Sequence, residues 1–507
     1  MHPMRSRFAT ILSTLILTSA LPAASGELRS AGEAFGPHFE GRTRGETARS
    51  RPASNADAVR RWNAIAIDAS GLDHTPVAAG ESRVFGEQLG PGRSSRAMAI
   101  VHVAIFEAVN AIAGGYRSYV GLRRAPHGTS FDAAVAQAAH DTLVALFPSQ
   151  TASFDQQLAD ELARIRDRYA RARGVELGRR AAAAVLASRV GDGADHAEPR
   201  MGIEYLPGDQ PGAWRQDPIS LIPLALGAHW GAVVPFAIGS GAAFRAPPPP
   251  PLASPEYAAA FAEVKALGGD GLSTLTLRSD EQTHIGIFWA YDGTPSLCAP
   301  PRLYNQIAVQ IADQRGTGKV ALARLLALAN VAMMDTGIAT WESKYHYAFW
   351  RPVTGIREAD EGTGPTGLGD GNPDTLGDPT FSPLGAPASN LPITVPNFTP
   401  PFPAYPSGHA AFGGALFQTL RRFYGTDRIA FTFVSDEFNG VTLDHAGNPR
   451  PYLPRTFSSL TQAEEENGQS RIYLGIHWSF DKTQGIAQGR RVADAVFRRL
   501  FAPSHRR

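Results

Sequence analysis

Apolar residues recur at three- and four-residue spacing over Ser95–Ile112, Asp132–Phe147, Phe154–Arg173 and Val175–Val190, with short Gly, Pro or Ser breaks between them. This period predicts four helices able to close into one bundle. A polar stretch containing Trp and Pro follows to about residue 245, and then five consecutive prolines, Pro247 to Pro251, which cannot be helical and read as a stiff connector. The expected boundary lies there, between an N-terminal helical bundle over 60–245 and a C-terminal one over 252–507. Beyond it, Ser254-Pro255 supplies an N-cap and first-turn proline, and Ser279-Asp280-Glu281-Gln282 a capping box for a helix to about Tyr291. Helices are predicted next over Tyr304–Gln314 and Lys319–Trp350, the latter stopping because Pro352 disfavours a helical Arg351. Residues 361–405 hold 10 Pro and 7 Gly, a long irregular excursion of a kind that is uncommon unless functional. The last helices are expected over Gly408–Tyr424 and roughly Phe480–Phe501, with little strand signal beyond Ile429–Val434. The predicted fold class is all-α: two helical bundles with long Pro/Gly-rich loops.

Composition narrows the class of function. Lys and Arg total 48 against 47 Asp and Glu, a formal charge of +1, so the net field offers no reason to expect a nucleic-acid or membrane-surface binder. With 43% hydrophobic and 19% charged residues the chain is not disordered. The single cysteine, Cys298, excludes an intramolecular disulfide, a Cys-rich zinc site and an iron–sulfur cluster. At the N-terminus Arg5 and Arg7 precede an apolar run, Phe8 to Leu21, and Ala23-Ala24-Ser25 offers small residues for cleavage. Residues 1–25 therefore read as a secretory signal and the protein as exported, to the periplasm or beyond. The most apolar later stretch, Val320 to Trp341, carries Arg324 and Asp335 and reads as a buried bundle helix, so no membrane span is expected in the mature chain.

Three clusters carry chemistry. Lys344 and Arg351-Pro352 are seven residues apart, which on one continuous helix would put both cations on one face about 10 Å apart. Pro406-Ser407-Gly408-His409 opens an apolar helix, with Ser407 as N-cap and the next amides at the positive end of the dipole, an anion cradle. Ser470-Arg471, His477 and Asp481 form the third; if helical, Asp481 can accept a proton from one ring nitrogen of His477 and fix its tautomer. Singly, these are ordinary: a solvated stripe, a cap, a structural histidine. Together they hold three cations, helix-terminal amides, a hydroxyl and two histidines, the inventory that grips a tetrahedral oxyanion and moves protons on it. Asp370-Gly371-Asn372-Pro373-Asp374 lacks EF-hand spacing and reads as a solvated turn, and His102 with Glu107 as a polar core pair.

Lys-x6-Arg-Pro, Pro-Ser-Gly-His and Ser-Arg-x5-His-x3-Asp, in this order, resemble the signature shared by vanadium-dependent haloperoxidases and type 2 phosphatidic acid phosphatases with their acid phosphatase relatives. Pro400-Pro401-Phe402-Pro403-Ala404-Tyr405 and Phe288-Trp289-Ala290-Tyr291-Asp292-Gly293 resemble the chloroperoxidase branch, and Arg96–Ala104 with Asn110-Ala111 is similar to its N-terminal bundle. The resemblance implies one orthovanadate in the C-terminal bundle, coordinated by His477 and hydrogen-bonded by Lys344, Arg351, Ser407, Gly408 and Arg471. His409 would be the acid–base residue, Asp292 the partner of Arg471, and Asp481 that of His477. Hydrogen peroxide and a halide would be substrates, giving hypohalous acid that halogenates an organic acceptor. Trp350 and Phe402 would line the halide site, Phe402 leaning toward chloride. The rival reading is an acid phosphatase using His477 as nucleophile through a phosphohistidine.

Overall fold

The computed structural model describes residues 31–38, 56–292, 297, 299–386, 397–444 and 447–504. The expected signal at 1–25 and Cys298 lie outside the described residues.

In chain order the helices are α1 (Ala31–Phe35), α2 (Ala58–Asp73), α3 (Gly90–Ala113), α4 (Phe131–Leu146), α5 (Thr151–Ala163), α6 (Arg168–Ala187), α7 (Pro255–Leu267) and α8 (Asp280–Phe288). After them come α9 (Pro301–Gln314), α10 (Lys319–Tyr347), α11 (Pro352–Arg357), α12 (Gly408–Tyr424), α13 (Leu460–Tyr473) and α14 (Ser479–Arg499). The strand signal becomes a short antiparallel pair, β1 (Phe431–Phe433) with β2 (Arg455–Phe457), in the register Phe431 to Phe457. The architecture is all-α. Residues on both sides of Pro247–Pro251 contribute to one continuous core, in which α3 packs along α10. Both of these helices are long and apolar enough to cross a membrane, yet the windows that qualify them are 83% and 94% buried within the fold.

Capping chemistry locates several helix starts. Ser254 accepts from Tyr257 N, Ser279 and Gln282 form the reciprocal capping box, and Ser407 caps α12. Elsewhere the pattern misleads. Residues 154–190 break at Arg164–Asp167, where Asp167 accepts from Tyr169 N and Ala170 N, and not at Gly174. Gly174 lies inside α6 because a Cβ there would sit 2.6 Å from Ser130 O, and one at Gly178 2.6 Å from Ala134 O. These glycines let α4 and α6 approach backbone to backbone. The helix expected over Lys319–Trp350 ends at Tyr347, capped by Ala348 in the left-handed region (φ 45°). Arg351 is instead the extended N-cap of α11, so it does not share a helix face with Lys344. The 370–374 segment is a turn with Gly371, Pro373 and Asp374 exposed, as the sequence suggested, and with Asp370 and Asn372 turned inward: Asp370 accepts from Asn372 N, and Asn372 Nδ2 donates to Leu252 O at 2.7 Å. His102 and Glu107 do not pair. Glu107 accepts from Ser118 and Tyr119, while both ring nitrogens of buried His102 lack partners among the described residues and burial pushes its pKa down to about 3.

The contact that positions the site is α12 against α14. Cβ atoms added at Gly414, Gly485 and Gly489 would lie 2.6 Å from Ile486 O, 2.6 Å from Ser407 O and 2.0 Å from Ala411 O. Only glycine permits this spacing, and it brings Ser407 N within 3.0 Å of Asp481 O. Gly489→Ala should therefore cost about 1–3 kcal/mol by overpacking, whereas Gly239→Ala, which meets nothing within 4 Å, should change stability by less than about 0.5 kcal/mol. Denaturant unfolding of both variants checks this.

Candidate active site

The end of α10, the turn into α11, the start of α12, the end of α13 and the start of α14 converge on one buried point. Lys344, in the last turn of α10, is fully buried; its Nζ donates to Pro403 O (2.7 Å) and Ala404 O (2.9 Å). Arg351 donates through Nε to Phe402 O (3.0 Å) and through Nη1 to Ile476 O (2.8 Å), with Nη1 also 3.1 Å from His477 Nε2. Arg471, in the last turn of α13, donates through Nη2 to Asp292. Lys344 and Arg351 both stand over the ring of Phe402, at 5.1 and 5.0 Å from its centroid.

Three cations in so small a buried volume repel one another, which disfavours the charged forms of Lys344 and Arg351. Burial first, and then the Arg351 charge, push Lys344 well below the usual amine range. Burial lowers Arg351 to about 9. Burial and the charges of Arg351, Lys344 and Arg471 hold His477 well below the usual imidazole range, so its ring is neutral. Its Nδ1 bonds Asp481 Oδ2 at 2.8 Å, and Asp481 also accepts from Trp478 N at 3.1 Å. A neutral ring donating from Nδ1 keeps a lone pair on Nε2, facing the cations. Burial raises Asp481 to about 7, against the pull of Lys344. His477 achieves this pairing from the turn before α14, not from within a helix as the four-residue spacing suggested.

His409, in the first turn of α12, is neutral too: burial and Arg471 lower it to about 4. Its Nε2 lies 2.8 Å from Ala290 O and 3.8 Å from Asp292 Oδ2, so a ring donating to Ala290 leaves Nδ1 as a base. Tyr304 Oη (2.8 Å) and Asn467 Nδ2 (3.0 Å) both donate to His409 O and pin this turn, a clamp that no sequence pattern announced.

Every predicted site residue except Trp350 falls at this point. Trp350 packs in a separate aromatic cluster with Tyr257 and Trp478, and its carbonyl accepts from Trp478 Nε1. The ring beside Phe402 is Trp341, 4.8 Å away by centroids, on the same face of α10 as Lys344 one turn later. At about 100° per residue, position 350 lies off that face even on a continued helix. Trp341 also covers Gly408, where a Cβ would lie 3.3 Å from the indole. The spacing of three from Lys344 was the available signal.

Whether these residues suit an oxyanion is tested by their unused valences. Arg351 Nη2 and Arg471 Nε and Nη1 are buried and have no hydrogen-bond partner among the described residues. Buried donors left unmade each cost about 1–3 kcal/mol, so the arrangement is set for an anion with several acceptor oxygens. Such a guest would also draw the Lys344 pKa back up. Inorganic phosphate, as the simplest tetrahedral probe, should stabilise the protein by about 2.7 kcal/mol at a hundredfold excess over its Kd, and Arg351→Ala should remove the effect. Thermal melts across a phosphate series measure it.

A family model described as the VCPO second helical-bundle domain matches residues 324–504. The chain is 32% identical over 510 aligned positions to vanadium chloroperoxidase of Curvularia inaequalis, spanning 84% of this chain and 79% of that protein. Among solved structures, a bacterial vanadium-dependent iodoperoxidase superposes with a TM-score of 0.68 at 22% identity, covering 90% of this chain and 100% of the other. The holo form of a bacterial vanadium-dependent chloroperoxidase gives 0.58 at 16% identity, covering 85% and 94%.

Proposed function

Because the chain belongs to the vanadium-dependent haloperoxidase family, we propose that it binds one orthovanadate in this cradle and oxidises halide with hydrogen peroxide to hypohalous acid, which then halogenates organic acceptors. The observation that carries the proposal is the set of buried, unpartnered guanidinium N–H groups gathered around the lone pair of a neutral His477. Lys344, Arg351 and Arg471, with the Ser407 hydroxyl and the Gly408 amide, would hold the oxygens, and His477 Nε2 the metal. Bound vanadate would supply Lewis acidity that makes peroxide electrophilic without a change of oxidation state.

The chain's own residues account for the rest. Asp481 fixes the His477 tautomer, so the donor atom is always presented. His409, neutral near pH 7, accepts a peroxide proton at Nδ1 and returns one to the leaving oxygen. The overall balance is H2O2 + X− + H+ → HOX + H2O. Phe402 and Trp341, beside Lys344, offer a dry wall with a cation behind it for the halide, and this apolar wall supports competence toward chloride.

Halogenation of a dye by protein, orthovanadate and peroxide should require vanadate, fall with excess phosphate and vanish in His477→Ala, which should also lose vanadate in equilibrium dialysis. His409→Ala should retain vanadate while kcat drops by roughly 10²–10⁴. Hydrolysis of a phosphate ester without vanadate, abolished by His477→Ala, would replace this reading with the phosphatase one. The proposal includes export: residues 1–25 act as the signal, and peptide mass spectrometry of protein recovered outside the cytoplasm should find a first residue at Gly26.

A further inference from the structure

Beside the cation cluster lies a hollow partly open to solvent, and its lining differs in kind from the cluster. Phe402 and Asp292 belong to both: Phe402 carries Lys344 and Arg351 over its ring, and Asp292 binds Arg471. The remaining walls are aromatic, proline and leucine surface. Phe35 of α1 stacks on Phe398 (5.6 Å, 25° between planes), and Leu89 and Pro400 complete the sides. His74 also lines it, with both ring nitrogens engaged: Nε2 accepts from Gly90 N and Nδ1 lies 2.9 Å from Ser70 O.

These walls are pinned. Leu226 N donates to Pro401 O (2.9 Å) and Thr399 N to Asp217 Oδ2 (2.8 Å), holding the strip from Phe398 to Phe402. A halide ion or peroxide has no use for a run of apolar surface that lies away from the cations. An apolar hollow with one polar end is the usual design for a small organic molecule.

We propose that this cavity is an acceptor subsite, binding a flat, apolar arene with a hydroxyl, such as a phenol or naphthol, between Phe35 and Pro400 with its polar edge toward Asp292. The inference rests on the haloperoxidase reading, which supplies hypohalous acid at the Phe402 end. The bound ring takes the halogen there: Ar–H + HOX → Ar–X + H2O, a carbon–halogen bond forming as the halogen–oxygen bond breaks and the ring proton leaving in water. Held acceptors are then halogenated ahead of solutes that meet hypohalous acid only after its escape.

The probe is 2-naphthol. Calorimetric titration into the protein should give saturable binding, weakened at least tenfold by Leu89→Asp. Phe35→Ala, which removes only a half-buried ring from a five-residue helix, should weaken it similarly and keeps the test open if Leu89→Asp fails to fold. With vanadate, peroxide and halide, equal 2-naphthol and taurine should give a product ratio favouring naphthol at least fivefold over the ratio from added hypohalous acid. Both variants should lose that preference while still halogenating taurine at the parent rate. Absence of saturable binding, or a product ratio equal to that of added reagent, overturns the subsite with the haloperoxidase reading intact. Binding of naphthol with halogenation of neither acceptor overturns the haloperoxidase reading, and the acceptor role with it.

Discussion

The structure depends on keeping three like charges together inside a protein core. Lys344, Arg351 and Arg471 are all buried, and nearby negative charge comes from Asp292, Asp481 and, at Arg351, Asp217, with Asp481 itself raised to about 7 by burial. Removing such charges from water costs several kcal/mol each unless partners compensate. Backbone carbonyls do part of this: Phe402, Pro403, Ala404 and Ile476 all turn their oxygens to the cations. What the carbonyls leave is a surplus of positive field and of N–H donors, and the two histidines answer by staying neutral. The same imbalance that strains the protein alone makes it selective for a compact, highly charged oxyanion.

Holding that imbalance needs a rigid frame, and the frame consists of helix ends. Five elements begin or end at the site, so their unpaired amides and carbonyls are available there. Among the described residues, two of the four non-glycine residues with left-handed backbone, Ala348 (φ 45°) and Tyr291 (φ 46°), sit between Lys344 and Arg351 and immediately before Asp292. Each costs about 1–2 kcal/mol and persists because its surroundings enforce it. At Tyr291 the enforcers are Glu437, which accepts from its amide, and Gln306, which takes its hydroxyl. Strain thus lies next to the side chains whose direction matters most.

Much of this was legible in the chain because it was written in local chemistry. Ser254, Ser279 and Ser407 name their helices through a cap, and the Gly408–Tyr424 helix appears with the bounds read from sequence. Hidden features were those decided by distant contacts. α13 was missed because its buried face is polar: Glu464 takes Arg421 and Arg490, and Asn467 serves His409. Gly174 looked like a breaker because a sequence cannot show that another helix presses against it. The choice of Trp350 over Trp341 rested on the resemblance alone; helical spacing sets Trp341, three residues before Lys344, on the lysine's face, and its ring is the one beside Phe402.

Asp292 draws these threads into one argument about how chemistry is kept apart from its surroundings. Its carboxylate holds Arg471 in the cradle, lies 3.8 Å from the His409 ring and closes the polar end of the apolar cavity. One side chain therefore touches the anion grip, the proton-handling group and the approach from the organic side. A group so shared cannot be optimised for any single role, but it couples them: displacing it would at once loosen Arg471, remove the counter-charge near His409 and open the cavity floor. Phe402 plays the matching apolar part, with cations on one face and the cavity on the other. Together they form a thin wall, one polar residue and one ring, between a highly charged interior and a pocket suited to rings. Small ions can be drawn to the charged side while a bulky arene stays on the other, within reach of a reactive product that has only that wall to cross.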